Sequence, residues 1–154
     1  MKIGLISDTH DNLRNLQSAL EILRAEDVTT VVHCGDVCGT PVIRALAGFD
    51  VWVARGNMDR QNELAPTVEA VLGVGRLAWL QRPVLNGHTV AAIHASDDDV
   101  LWGLVSSGRY THIFHGHTHR RRDQIMGGVR VINPGALGTE RNPQASFCLS
   151  LIHI

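Results

Sequence analysis

Apolar residues along the chain gather in short runs that break into turns or polar clusters. KIGLIS at 2–7, TTVVHC at 29–34, VWVA at 51–54, TVAAIH at 89–94, THIFHG at 111–116, GVRVIN at 128–133 and SFCLSLIHI at 146–154 have strand length. Their β-branched and aliphatic content predicts buried strands. A helical period separates the first two. Leu13, Leu16, Leu20 and Leu23 share one face of a helix over 12–25, with Asp11 or Asn12 as its N-cap. Shorter helices are predicted at 41–47 and near 99–107. Residues 62–72 and 76–80 have the pattern of helical turns, parted by Gly73 and Gly75. Strands alternating with helices imply parallel pairing and an α/β fold. The last strands come without helices between them and predict an antiparallel part.

The polar residues are concentrated where the apolar runs end. KIGLIS leads into Asp8-Thr9-His10, TTVVHC into Gly35-Asp36, and VWVA into Arg55-Gly56-Asn57-Met58-Asp59. TVAAI ends in His94, and THIF in His115-Gly116-His117-Thr118-His119. Loops at the carboxyl ends of parallel strands converge on one crevice. Five loops therefore bring Asp8, His10, Asp36, Asn57, His94, His117 and His119 towards a common site.

Carboxylate and imidazole ligands without thiolate suit manganese, iron, zinc or nickel, rather than calcium or a structural zinc. Seven candidates exceed what one ion takes while keeping a position open for substrate. Two ions about 3.5–4 Å apart that share a carboxylate use them all, lower the pKa of a bridging water and clamp the oxygens of an in-line displacement at phosphorus. An amide such as Asn57 adds no charge, which leaves the pair more electrophilic.

Composition narrows the setting. A chain of 154 residues fits a single domain, 1–154. With 44% hydrophobic and 19% charged residues it has the material for a packed core. A net charge of −1 argues against a strong grip on long nucleic acid or an anionic membrane. No run is long and apolar enough to span a bilayer. The polar Asp8-Thr9-His10 interrupts what a secretory signal would need, so a cytoplasmic protein is expected. The three cysteines, Cys34, Cys38 and Cys148, are expected as free thiols. A zinc site on Cys34 and Cys38 is the lesser alternative.

Taken in order, Asp8-x-His10, Gly35-Asp36, Gly56-Asn57-x-Asp59, His94 and Gly116-His117-x-His119 resemble the calcineurin-like metallophosphoesterases. The compact length, the Gly-His-Thr-His wording and Asn133-Pro134-Gly135 look like its small bacterial and archaeal phosphodiesterase branch. The resemblance covers about residues 1–145. It implies a four-layer αββα sandwich of two mixed β-sheets flanked by helices. It implies one metal on Asp8, His10, Asp36 and His119, and another on Asp36, Asn57, His94 and His117. Asp36 bridges them, and a bridging hydroxide attacks phosphorus. Asp36, Asn57, His94 and Asp59 are the residues expected to act in catalysis. The implied cofactors are two divalent ions, with manganese as first choice and iron, nickel or zinc as alternatives. The implied partner is a small phosphorylated substrate, with a phosphodiester preferred to a monoester. A homodimer through Trp79, Trp102 or the short C-terminal edge is a further expectation. The alternatives are a phosphomonoesterase with the same centre, a nuclease acting on short oligonucleotides, and a scaffold like the retromer subunit, in which ligands would be eroded.

One departure bears on the chemistry. Many family members carry His between the Asn and Asp of the third motif, and here Met58 stands there. A thioether donates no proton. Outside the ligand set, His33, His88, His112 and His153 are expected to be structural or on the surface. His115 is expected as a buried strand histidine or as support for the ligands. Asp59 is expected to orient a neighbour, through Arg55 or a ligand histidine. Asn12 is a cap or a phosphate contact. Asp97, Asp98 and Asp99 favour a helix N-terminus. Asn133-Pro134-Gly135 is a turn whose backbone supports the last ligand loop. Arg120, Arg121 and Arg122 form a solvated loop or offer a guanidinium fork to a substrate phosphate.

Overall fold

In the computed structural model, residues 1–95, 97–138 and 144–152 are described. The elements run β1 (Lys2–Ile6), α1 (Leu13–Ala25), β2 (Thr30–His33), α2 (Thr40–Ala45), β3 (Asp50–Ala54), α3 (Gln61–Val71), β4 (Leu77–Ala78), β5 (Leu80–Gln81), β6 (Val84–Leu85), β7 (His88–Ile93), α4 (Asp98–Ser106), β8 (His112–His115), β9 (Arg122–Met126), β10 (Val129–Asn133) and β11 (Cys148–Leu151).

They build two mixed sheets. The first has the order β11-β1-β2-β3-β4 and the second β5-β7-β8-β10-β9, with β6 paired to β7. β1 to β4 are parallel, and β11 lies antiparallel on β1. β7, β8 and β10 are likewise parallel, flanked by antiparallel β5 and β9.

Alternation along the strands creates three apolar layers. Ile3 and Leu5 of β1 join Val90 and Ala92 of β7 between the sheets, with Phe114 and Ile132. Ile6, Val31, Val51 and Val53 face the opposite way, under Leu16, Leu20 and Leu23 of α1 and Leu64 and Val68 of α3. Ala91, Ile93, Ile113 and Val131 form the outer face of the second sheet, covered by Leu101 and Val105 of α4. Helices outside both sheets give the αββα layering. The stripe read over 12–25 is the buried face of α1, whose cap is Asn12, accepting from the Asn15 N–H at 3.0 Å. Asp97 caps α4 in the same way, by accepting from the Asp99 N–H.

Two stretches differ from the pattern-based expectation. Residues 76–80 are not helical. Leu77–Ala78 pairs with β3 and Leu80–Gln81 with β7, so the chain crosses here from one sheet to the other. Tertiary contacts decide the matter. The Arg76 guanidinium lies 3.8 Å from the centre of the Trp52 ring and binds Asp50 at 2.7 Å. The second difference is β9, Arg-Asp-Gln-Ile-Met, for which no apolar run predicts a strand. It is the edge strand of a hairpin with β10, and only Met126 of it is buried. The turn is Gly127-Gly128, both at positive φ (54° and 84°), which matches the twist of a two-residue hairpin. At the C-terminus, β11 ends at Leu151, and the expected strand residues 153–154, including His153, lie outside the described residues.

Candidate metal centre

Every ligand expected from the sequence lies between one and four residues beyond the C-terminal end of a parallel strand: Asp8 and His10 after β1, Asp36 after β2, Asn57 after β3, His94 after β7, His117 and His119 after β8. The structure brings all seven together. His119 Nε2 is 3.0 Å from Asp8 Oδ1. His10 Nε2 is 3.9 Å from the same oxygen and 3.7 Å from Asp36 Oδ2. His94 Nε2 stands 3.3 Å from Asp36 Oδ2 and 3.9 Å from Asp8 Oδ1. His117 Nδ1 completes the series, 3.1 Å from His94 Nε2 and 2.9 Å from Asn57 Oδ1. Asp36 Oδ2 therefore faces His10 on one side and His94 on the other. Two sets of carboxylate and imidazole atoms, Asp8–His10–His119 and Asp8–Asp36–His94, each lie within 4.8 Å of one another, and both include Asp8.

The backbone is bent to achieve this. Asp8 (φ 52°), His10 (44°), Asp36 (54°), His117 (74°) and His119 (56°) all take left-handed conformations. Aspartate and histidine enter that region more readily than most residues, yet it remains uncommon and costly outside glycine. The reversals let the Gly-His-Thr-His turn send His119 towards Asp8 and His117 towards His94 and Asn57. Two motif glycines are sterically required. A Cβ on Gly56 would collide with the Asp36 carboxylate and amide, and one on Gly116 would meet the Ser7 hydroxyl and stand 2.7 Å from the Cys34 carbonyl.

The surroundings fix the ligands. His94 Nδ1–H donates to the Cys34 carbonyl at 2.7 Å, which leaves Nε2 turned to the centre. Asp8 Oδ2 accepts from the Ser7 hydroxyl and from the His117 amide, so Oδ1 is the oxygen free to bind. Asp36 Oδ1 accepts from the Met58 amide at 2.9 Å, and the Met58 side chain is turned out to solvent.

Asp59 does not take the part expected of it. Its oxygens accept from the backbone amides of Gly56 (2.7 Å), Cys38 (2.8 Å) and Asp36 (3.1 Å), while Arg55 donates to Gln61. It ties the β3 loop to the β2 loop through main chain. Asn133 also differs from expectation, since it supports the last ligand loop by its side chain. Its Nδ2 donates to the Gly116 carbonyl (3.2 Å) and Thr118 Oγ1 (3.0 Å), while its Oδ1 accepts from Gly135 N–H. Ser7 and His33 carried no signal in the sequence. His33 lies buried beneath the centre, with Nε2 2.7 Å from Thr9 Oγ1 and Nδ1 accepting from Gly35 N–H. Burial pushes its imidazole down to about 4, against the pull of nearby Asp59.

The electrostatics favour a cation. Burial pushes the Asp36 carboxyl up, but the contacts with His94 and the Met58 amide more than reverse this, so it lies below the usual range. Burial pushes His94 down, and Asp36, Asp8 and the Cys34 carbonyl raise it overall. The pair thus favours a shared positive charge, the role a metal takes when it displaces the proton. Two buried atoms, Asp8 Oδ1 and His10 Nε2, have no hydrogen-bond partner. Buried polar atoms are nearly always satisfied, and a cation between carboxylate and imidazole satisfies both. The residues present therefore fit divalent ions.

The cysteines contribute no ligand to these groups among the described residues. Cys34 is packed between the sheets, and burial drives Cys38 up to about 12, so neither presents a thiolate. All three cysteines are free.

Residues 1–153 match the profile of the calcineurin-like phosphoesterase superfamily domain. The chain belongs to that superfamily. It is 33% identical over 138 residues to phosphodiesterase MJ0936 of Methanocaldococcus jannaschii, covering 88% of this chain and 83% of that protein. A solved archaeal phosphodiesterase superposes with a TM-score of 0.82 at 32% identity, over 89% of this chain and 85% of its own. YfcE, a phosphoesterase from E. coli, shares the fold at TM-score 0.69 and 22% identity, over 97% and 87% of the two chains. The two mixed sheets with outer helices are those of the calcineurin-like fold, and the site lies at the rim where the parallel strands of both sheets end.

Proposed function

We propose that this superfamily member hydrolyses phosphodiesters at a dinuclear centre, with one cation on Asp8, His10, Asp36 and His119 and another on Asp36, Asn57, His94 and His117. The unbroken series of contacts from His119 to Asn57, none longer than 3.9 Å, supports this reading. When bound, two divalent ions supply an activated water and neutralise charge on the phosphate oxygens. The protein's part is positional. His94 is locked in one tautomer by the Cys34 carbonyl. Asp36 keeps Oδ1 on the Met58 amide, which leaves Oδ2 to hold a cation when one is bound. Asp59 holds the two loops at a fixed spacing. Among the catalytic residues expected, Asp36, Asn57 and His94 act as ligands, and Asp59 acts through the backbone.

Met58 brings no proton to the departing oxygen, so substrates with good leaving groups are favoured. The naming of the 33% identical relative as a phosphodiesterase supports diesters over monoesters. Manganese is the first metal to try, with iron, nickel and zinc as alternatives. Three free thiols suit a reducing cytoplasm. No described helix is long and apolar enough to cross a membrane. A homodimer would cover Trp79 and Trp102, which are about half exposed, and sedimentation analysis decides that point.

The test is manganese-dependent hydrolysis of bis(p-nitrophenyl) phosphate beside p-nitrophenyl phosphate. The diester should turn over faster, and chelation, Asp36→Asn or His117→Ala should abolish activity. Turnover that survives all three removes the dinuclear reading; faster monoester cleavage reverses the substrate preference.

A further inference from the structure

Beyond the metal ligands, the loop from His115 to Arg122 forms the wall of a second cleft of about 500 Å³, lined by Asp98, His115, Thr118, Arg120, Arg121 and Arg122. Its charge is unbalanced. Arg122 donates to Asp98 at 3.0 Å, which neutralises that pair. Arg120 and Arg121 are exposed and have no carboxylate partner among the described residues. Two uncompensated guanidinium groups on adjacent residues face a surface of a chain whose net charge is −1. Planar guanidinium forks match phosphate oxygens in pairs. The cleft wall also includes His115. The residue is 98% buried (2% exposed), lines this cleft, and its Nε2 has no hydrogen-bond partner in the protein. Its Nδ1–H donates to the Ala95 carbonyl at 3.3 Å, so Nε2 is an acceptor shielded from solvent, and recognition of an anion falls to the arginines.

The cleft adjoins the metal centre. Thr118 lines it, while its two neighbours in sequence, His117 and His119, point to opposite ends of the ligand set. Adjacent Cα atoms are about 3.8 Å apart. A molecule with one phosphate at the metals would pass over Thr118 to enter the cleft.

We propose that this cleft is a subsite for a second phosphate on the substrate, held by Arg120 and Arg121. The natural substrate is then a phosphodiester that carries a further phosphate on the group retained or released, such as a phosphorylated nucleoside ester. The inference deepens the phosphodiesterase reading and rests on it for the word substrate, while the anion site itself stands apart from it.

Two experiments separate the readings. In the first, inorganic pyrophosphate is titrated by calorimetry into the chelator-treated full chain. Wild type should bind it, and Arg120→Gln/Arg121→Gln should bind at least tenfold more weakly, since both side chains are exposed and their replacement leaves the core untouched. No binding by wild type, or equal binding by the variant, overturns the subsite. In the second, the manganese-loaded protein is given the thymidine 5′-(p-nitrophenyl) phosphate ester with and without a 3′-phosphate. The ratio of the two kcat/KM values should favour the 3′-phosphorylated ester and fall at least tenfold in the double variant; a ratio that the variant leaves unchanged overturns the substrate assignment. If neither ester is hydrolysed, the phosphodiesterase reading fails, and the pyrophosphate titration still decides the anion site.

Discussion

Asp59 lies outside the ligand set, yet its replacement should loosen the whole centre. Its carboxylate accepts three backbone amides, those of Asp36 and Gly56 through Oδ2 and that of Cys38 through Oδ1. The Asp36 and Gly56 amides are buried, and that of Cys38 is partly so. Asp59→Ala leaves all three without an acceptor. A buried unpaired donor costs about 1–3 kcal/mol. Two full penalties and one that water partly relieves give a loss of roughly 3–5 kcal/mol. Against a typical domain stability of about 5–15 kcal/mol, this is large but survivable. Asp59→Asn can keep its carbonyl on the two amides that Oδ2 serves, with its NH₂ against the Cys38 N–H. Its loss should be smaller, about 1–3 kcal/mol. Urea denaturation of the chelator-treated proteins at pH 7 gives both numbers. Manganese titration of the same samples should show weaker binding in the order wild type, Asn, Ala, because Asp36 is held by its own amide on Asp59. An Ala variant that loses less than about 1 kcal/mol, or binds manganese as wild type does, would refute the view that this carboxylate sets the spacing of the two ligand loops.

Other consequences follow from the same contacts. His33 stays neutral in the fold down to about 4, while the unfolded chain takes up its proton near 6.5. Stability is therefore full above pH 6.5 and should fall by about 3 kcal/mol as pH drops from 6.5 to 4; in His33→Gln the pH dependence of urea midpoints should be flatter, and an identical slope would assign the acid lability elsewhere. Gly116→Ala places a methyl against the Ser7 hydroxyl, the Cys34 carbonyl and the Asp8 carboxylate. Manganese affinity should drop about 10–100-fold, as for other changes to groups that orient ligands, and unaltered affinity in calorimetry would contradict the close packing at this turn. Met58 is 56% exposed, so Met58→His introduces an imidazole beside the centre without disturbing the core. Esters with poor, alkyl leaving groups should gain at least tenfold in kcat/KM, towards the ~10²–10⁴ available from general acid catalysis, with little change for p-nitrophenyl esters; an equal gain on both classes would point to binding instead of proton donation.

The candidate ligands were legible in the sequence for a physical reason. A buried parallel strand is a continuous apolar run, so the residue at which it becomes polar marks the sheet's carboxyl rim, and Asp8, Asp36, Asn57 and His94 stand at that boundary. The layered fold was legible in the same way, because period two along KIGLIS and TVAAIH already sorts side chains onto two faces. What stayed hidden lacks any local pattern. β9 has a strand's hydrogen bonds without a strand's apolar residues, and only the Gly127-Gly128 turn hints at it. Leu77–Gln81 divides its hydrogen bonds between two sheets, so neither helical nor strand periodicity describes it. Asp59 was recognisable as part of a motif but not in its role, since three backbone amides drawn from two loops leave no trace in residue type. The support from Ser7 and from the Asn133 side chain is likewise a matter of tertiary position.

Anomalous diffraction at the manganese edge, from crystals grown with the metal, tests the central claim most directly. Two peaks about 3.5–4 Å apart are predicted, with Asp36 between them, Asp8, His10 and His119 around one, and Asn57, His94 and His117 around the other. A single peak, or Asn57 and His117 turned away from the metal, would contradict it.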